Sequence, residues 1–244
     1  VPLKNQSGEI MGVIEAMNKN DGVFTDYDLE LLKSLSSYVA MFIENALLFD
    51  EQSRQFKSVL EVLAASIDAK DTLTAGHSKK VAEYAVAIGR EMGLNEDGLD
   101  VLNVAALLHD YGKLGIDDRI LKKPGSLNRE EFEQIKEHVT NTRSILNKMA
   151  FMRKYRNVPL LASSHHERLD GSGYTEGLTD IPFMARILAV ADVFEALTAE
   201  RHYRRALSIE EAFAIMDGEA GTKLDENVIA ALKSCCRRER MITA

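Results

Sequence analysis

The chain has 244 residues, 45% hydrophobic and 28% charged, with a net charge of -8. With a pI near 5.4 it lacks the broad basic surface that duplex DNA demands, while a local basic pocket for a phosphate ligand stays open. The only cysteines, Cys235 and Cys236, are adjacent, which excludes a disulfide scaffold and a Cys-x-x-Cys zinc finger. This cysteine usage fits a reducing compartment, no apolar run reaches the roughly 18 residues of a membrane span, and a cytoplasmic setting is expected.

Val1 stands where an initiating methionine would, which predicts further sequence upstream. Residues 1–20 read as a hairpin, with Val1-Pro2-Leu3 and Ile10 to Met17 flanking a turn at Ser7-Gly8. Two strands alone do not make a stable domain, so this is either the end of a longer one or a small docked appendage. Thr25 with Asp28 then gives a capping-box-like start to a long helix. Leu32, Val39, Ala46, Ser53, Leu60 and Ile67 repeat in heptads, and Leu35, Phe42, Phe49, Phe56 and Leu63 form the companion row. Only Ser53 breaks this seam. An amphipathic helix packed on its own domain is one reading, but the sustained seam favours a parallel dimer stalk over residues 30–70.

From Asp71 onward the periodicity is helical. Candidate helices span 77–92, 97–112, 128–149, 157–167, 183–200 and 208–217, with a last one near 225–235. Breaks fall at Gly93, Pro124-Gly125, Gly171-Ser172-Gly173 and Gly221. The expected fold is mainly α, an all-helical domain over 71–244 after a long linking helix, with a small N-terminal α+β segment.

The apolar run Val104 to Leu108 ends abruptly in His109-Asp110, with Lys113 three residues further on. Burying an unpaired carboxylate beside an imidazole is costly, and a metal ion would relieve it. The chain has six histidines, His77, His109, His138, His165, His166 and His202. Five stand near a predicted helix end. Asp192 lies in the apolar run Ile187 to Phe194, where an unpartnered carboxylate is equally costly. Imidazoles and carboxylates without thiolates suit two mid-sized divalent ions such as iron, manganese, nickel or zinc.

These residues match a known pattern. His109-Asp110-Tyr111-Gly112-Lys113 resembles the HD-x-G-K motif, and His165-His166-Glu167 through Asp170-Gly171-Ser172-Gly173-Tyr174-Thr175-Glu176-Gly177-Leu178 resembles the HHE-x-x-DG-x-GYP-x-GL motif. Both mark the HD-GYP domain, a bacterial branch of the HD metal-dependent phosphohydrolases that degrades cyclic di-GMP. Residues 1–50 resemble the C-terminal part of a GAF sensor domain, through Gly12-Val13-Ile14, Phe24-Thr25 and Ile43-Glu44-Asn45-Ala46.

The resemblance implies metal ligands at His77, His109, Asp110, His138, His165, His166 and Asp192, with Asp110 bridging two ions, iron favoured. It further implies hydrolysis of cyclic di-GMP to linear pGpG or on to GMP, with Lys113 and Asp110 catalytic and Lys113, Tyr174, Arg201 and Arg204 on the substrate. A homodimer through the linking helix and GGDEF-type signalling partners belong to the same expectation. Four departures stand out: Thr175 for the proline of GYP, His202 for the proline of an R-P-Y-R motif, Val139 and Thr142 for a proline and a glycine after His138, and Leu73 where some members place a third-metal glutamate. Two metals are therefore expected. A degenerate cyclic di-GMP receptor and a hydrolase of a hybrid cyclic dinucleotide are the competing readings. All seven ligands are present, which disfavours the receptor.

Overall fold

The structure, a computed structural model, describes residues 1–71, 76–178, 180–200 and 205–243, and it divides into two units, Val1–Val59 and Leu60–Ala244. In the first unit the hairpin is present. β1 (Pro2–Lys4) and β2 (Ile10–Val13) run antiparallel with Pro2 opposite Val13 and a bulge between Leu3 and Lys4. The ladder stops at Val13, short of the expected Met17. Helix α1 (Asp26–Lys70) starts on the expected capping box. The Thr25 amide donates to Asp28 Oδ2 at 2.7 Å and the Asp28 amide donates to Thr25 Oγ1 at 3.4 Å. Along the first unit's part of α1, seam residues Leu35, Phe42 and Phe49 are exposed.

The last turns of α1 belong to the second unit, where Leu60, Ala64 and Ile67 are buried. There α2 (His77–Glu91), α3 (Glu96–Leu108) and α7 (Phe183–Thr198) build the core with α8 (Ile209–Glu219) and α9 (Glu226–Thr243). Val81, Ala85 and Ile88 of α2 meet Leu102 and Ala106 of α3, Leu188 and Phe194 of α7, and Val228 and Leu232 of α9 in one cluster. Helix α7 is buried along most of its length, so its polar residues stand inside the protein rather than on a wet face. A short α4 (Asp118–Leu121), then α5 (Arg129–Leu146) and α6 (Val158–Ser163) close the other side, α5 against α6 and α6 against α3.

Most helices begin where sequence chemistry places them. Asn95 caps α3 by accepting from Gly98, and Asn128 with Glu131 forms a capping box on α5. Several ends differ from the periodic reading, α5 among them at Leu146 rather than 149. Helix α3 stops at Leu108 rather than 112, because residues 111–115 tighten into a 3-10 turn, and α6 ends at Ser163, leaving His165 and His166 in the following turn. Helix α9 runs on to Thr243, beyond the expected 235. No helix among the described residues is long and apolar enough to cross a membrane.

Candidate metal centre

Four of the five clustered histidines are aimed by their local surroundings. Gly76 has φ 79°, a left-handed conformation that favours glycine, and it puts His77 at the first position of α2. Asp68 holds that start from the end of α1, accepting from the Gly76 amide at 2.9 Å and the Ser78 hydroxyl at 3.1 Å. His109 Nδ1 donates to the Ala106 carbonyl at 2.7 Å, His138 Nδ1 to Ile135 at 2.6 Å, and His165 Nδ1 to Ala162 at 2.7 Å. A carbonyl only accepts, so each Nδ1 keeps the proton and each Nε2 carries a lone pair. His77 Nδ1 lies 2.5 Å from Glu195 Oε2, the carboxylate–histidine arrangement that orients a ligating ring.

The 3-10 turn carrying Lys113 is clamped against α5. A Cβ on Gly112 would sit 1.9 Å from the His138 carbonyl oxygen, so only glycine permits this approach. Thr142 Oγ1 accepts from the Gly112 amide at 2.8 Å and donates to the His109 carbonyl at 3.0 Å. Thr142, a departure from the family pattern, is thus a buried staple between the turn and α5.

All seven expected ligands converge. His77, His109 and Asp192 form one group whose ligand atoms lie within 4.8 Å of one another; His138, His165 and His166 form another; His109, Asp110 and His165 overlap both. Asp110 lies between them. Its Oδ1 is 3.3 Å from His138 Nε2 and 3.8 Å from His165 Nε2, while its Oδ2 is 3.5 Å from His109 Nε2 and 3.8 Å from His77 Nε2. His77 Nε2 lies 3.3 Å from both His109 Nε2 and Asp192 Oδ1. Two atoms each about 2.1 Å from a shared ion stand roughly 3.0 to 3.4 Å apart in octahedral or tetrahedral geometry. The 3.3 Å spacings are of that size, and the others, at 3.5 and 3.8 Å, are a few tenths of an ångström wider. His138 Nε2 and His165 Nε2 are also buried without a hydrogen-bond partner, which an apo pocket leaves costly and a cation satisfies. The residues present fit divalent ions.

Electrostatics point the same way. Burial holds His165 well below the ordinary histidine range and takes His166 down to about 3, so both rings stay neutral. For His77 burial opposes protonation, but hydrogen bonds to Asp192 and Glu195 outweigh it and raise the ring to about 10. That site holds a positive charge, as a proton or as a metal. Burial likewise opposes charge on Lys113, yet Asp110 and Asp71 raise it above the usual lysine range. Its Nζ lies 2.7 Å from Asp110 Oδ2 and 2.9 Å from Asp71 Oδ2.

The loop after the paired histidines is anchored by Glu167, whose buried carboxylate accepts from the Glu176 amide at 2.6 Å and the Leu178 amide at 3.1 Å. Arg143 of α5 pairs with Glu176 on its outer side. Tyr174 is laid against the centre, its ring 4.6 Å from that of His166. Glu195, Asp71 and Glu167 are the positioning groups that the sequence reading missed. Arg201, Arg204, His202 and Leu73 lie outside the described residues.

Comparison with known proteins agrees with this geometry. The HD domain family matches residues 61–228. A Vibrio cholerae protein named 3'3'-cGAMP-specific phosphodiesterase 3 is 43% identical over 169 residues, covering 68% of this chain and 36% of its own length. A Thermotoga maritima protein named cyclic di-GMP phosphodiesterase is 38% identical over 218 residues, covering 86% of this chain and 57% of its own. The chain thus spans between about a third and three fifths of these relatives. Among solved structures, an HDG"Y"P protein from Bdellovibrio bacteriovorus shares the fold at a TM-score of 0.55 and 21% identity, over 68% of this chain and 53% of that one. The chain belongs to the HD domain family, and its helical unit is an HD-GYP domain.

Proposed function

We propose that this chain is a metal-dependent phosphodiesterase that opens a cyclic dinucleotide, cyclic di-GMP, to linear pGpG. The observation that carries the reading is the overlap of the ligand groups around Asp110, whose two oxygens face different histidine pairs. His77, His109 and Asp192 would hold one ion and His138, His165 and His166 a second, with Asp110 shared. Iron is the first candidate ahead of manganese, nickel and zinc. Bound there, such ions supply Lewis acidity and an activated water at neutral pH. Lys113 acts as a fixed cation beside the phosphate, because its two carboxylate partners hold the ammonium in place. Tyr174, with Arg201 and Arg204, is proposed to contact the substrate.

A hybrid dinucleotide is the second reading. It is favoured by the Vibrio cholerae relative named for 3'3'-cGAMP and by Thr175 in place of the GYP proline, which frees the loop backbone. We assign residues 1–50 to the C-terminal part of a GAF-like domain, 30–70 to the linking helix and 71–244 to the HD-GYP domain. The exposed seam residues of α1 support a homodimer through that helix, and GGDEF-type proteins are the proposed signalling partners.

The test is purification without oxygen, metal quantification, and turnover of cyclic di-GMP and 3'3'-cGAMP by the protein, His109→Ala and Lys113→Ala. About two metals per chain and turnover lost in both variants is the expected result. Metal with tight binding and no turnover would make the chain a receptor, and no metal in any preparation would overturn the centre.

A further inference from the structure

Beyond Tyr174, next to the proposed metal centre, lie two residues that the proposed hydrolytic chemistry leaves unused, Phe132 and Lys136. Phe132 and Lys136 are four residues apart on α5, hence on one face of the helix. Lys136 Nζ lies 5.5 Å from the Phe132 ring centroid and 5.6 Å from that of Tyr174, and the two rings meet edge to face at 6.4 Å. Tyr174 in turn lies against His166. The two rings and the ammonium therefore form a triangle, joined at its Tyr174 corner to His166, one of the expected metal ligands.

The Phe132 corner of this triangle is open to solvent. Phe132 is 48% exposed although it is a large apolar ring, and Lys136, its side chain 22% exposed, pairs at 2.7 Å with Glu133, whose side chain is 59% exposed. An ion pair to so exposed a carboxylate is weak, leaving the ammonium able to exchange to a ligand. The Tyr174 corner is rigid, because Glu167 and the Arg143–Glu176 pair fix the loop that carries it.

We infer that Phe132, Lys136 and Tyr174 form a nucleobase subsite that selects guanine. This rests on the proposed action on a cyclic dinucleotide, where a base hangs one sugar away from the phosphodiester at the centre. An exposed aromatic face stacks any base. The cation supplies the selection: guanine offers two acceptors, O6 and N7, on one edge, whereas adenine offers N7 beside an amino donor that repels an ammonium. A dinucleotide carrying at least one guanine satisfies the subsite, and cyclic di-AMP does not.

The experiment measures Kd by calorimetry and kcat and KM for cyclic di-GMP, 3'3'-cGAMP and cyclic di-AMP, using the metal-loaded protein and Lys136→Met, Lys136→Arg, Phe132→Ala and Phe132→Tyr. Both guanine-containing ligands should bind more tightly than cyclic di-AMP. Lys136→Met should shrink that gap by about tenfold while Lys136→Arg restores it. Phe132→Ala should weaken all three ligands by about fivefold or more, with the loss in KM, and Phe132→Tyr should recover it. An unchanged gap in Lys136→Met overturns the subsite even if turnover is normal. Binding without turnover overturns the hydrolase reading and still tests the subsite through Kd. A loaded protein that binds none of the three overturns both.

Discussion

Lys113 sits between two carboxylates, Asp110 among the proposed metal ligands and Asp71 at the end of a helix, and this double hold fixes where its charge stands. Lys113→Ala is expected to lower kcat by about 10² to 10³ with metal content retained, since a preorganised cation acts on the transition state. Metal analysis beside turnover checks this. His77 gives a second outcome. Its pKa in the apo protein is raised to about 10, so at pH 7.5 the ring carries a proton that metal binding must displace. Calorimetric titration of metal in buffers of different ionisation enthalpy should report release of about one proton, and none from this ring above pH 11. That the proposed ligand side chains would cluster was legible in the sequence, because histidines are few and an aspartate in an apolar run such as Ile187 to Phe194 needs a partner. Glu195, Asp71 and Glu167 were not. A carboxylate becomes a positioning group only when the fold buries it against a particular donor, and spacing does not encode that.

At the scale of elements, the centre depends on how closely α5 approaches the turn after α3. Gly112→Ala would force a Cβ into the His138 carbonyl and displace a ligand-bearing helix. Thermal melts should show a loss of several degrees together with loss of bound metal. Thr142→Ala removes two buried hydrogen bonds without a clash, so a smaller cost of about 1–3 kcal/mol is expected, read from denaturant unfolding. Helix positions were legible from apolar periodicity and caps such as Asn95 and Asn128, but the ends at Leu108 and Ser163 were not. A 3-10 turn keeps similar apolar spacing over so few residues, and what stops α3 is the tertiary clamp on Gly112. Helix α4 and the Arg153–Tyr155 turn are too short to carry a period at all.

At the scale of the whole molecule, one helix of 45 residues runs through both units. Seven residues inserted after Asp50 preserve the heptad phase, whereas four shift the seam by a partial turn. If α1 is a dimer stalk, the first insertion should leave turnover near that of the parent and the second should change it severalfold, with sedimentation reporting the assembly in each case. The place where such a change would be felt is visible in the second unit. Lys70 donates to the carbonyls of Leu114 at 2.8 Å and Ile116 at 3.1 Å, on the turn that carries Lys113, and the next residue, Asp71, grips the lysine itself. The Lys113 ammonium is thus tethered to the C-terminal end of α1 through two consecutive residues. If Lys113 acts on the substrate as proposed, a small rotation of that helix end would be delivered as the displacement of a single ammonium group, without travelling through the core.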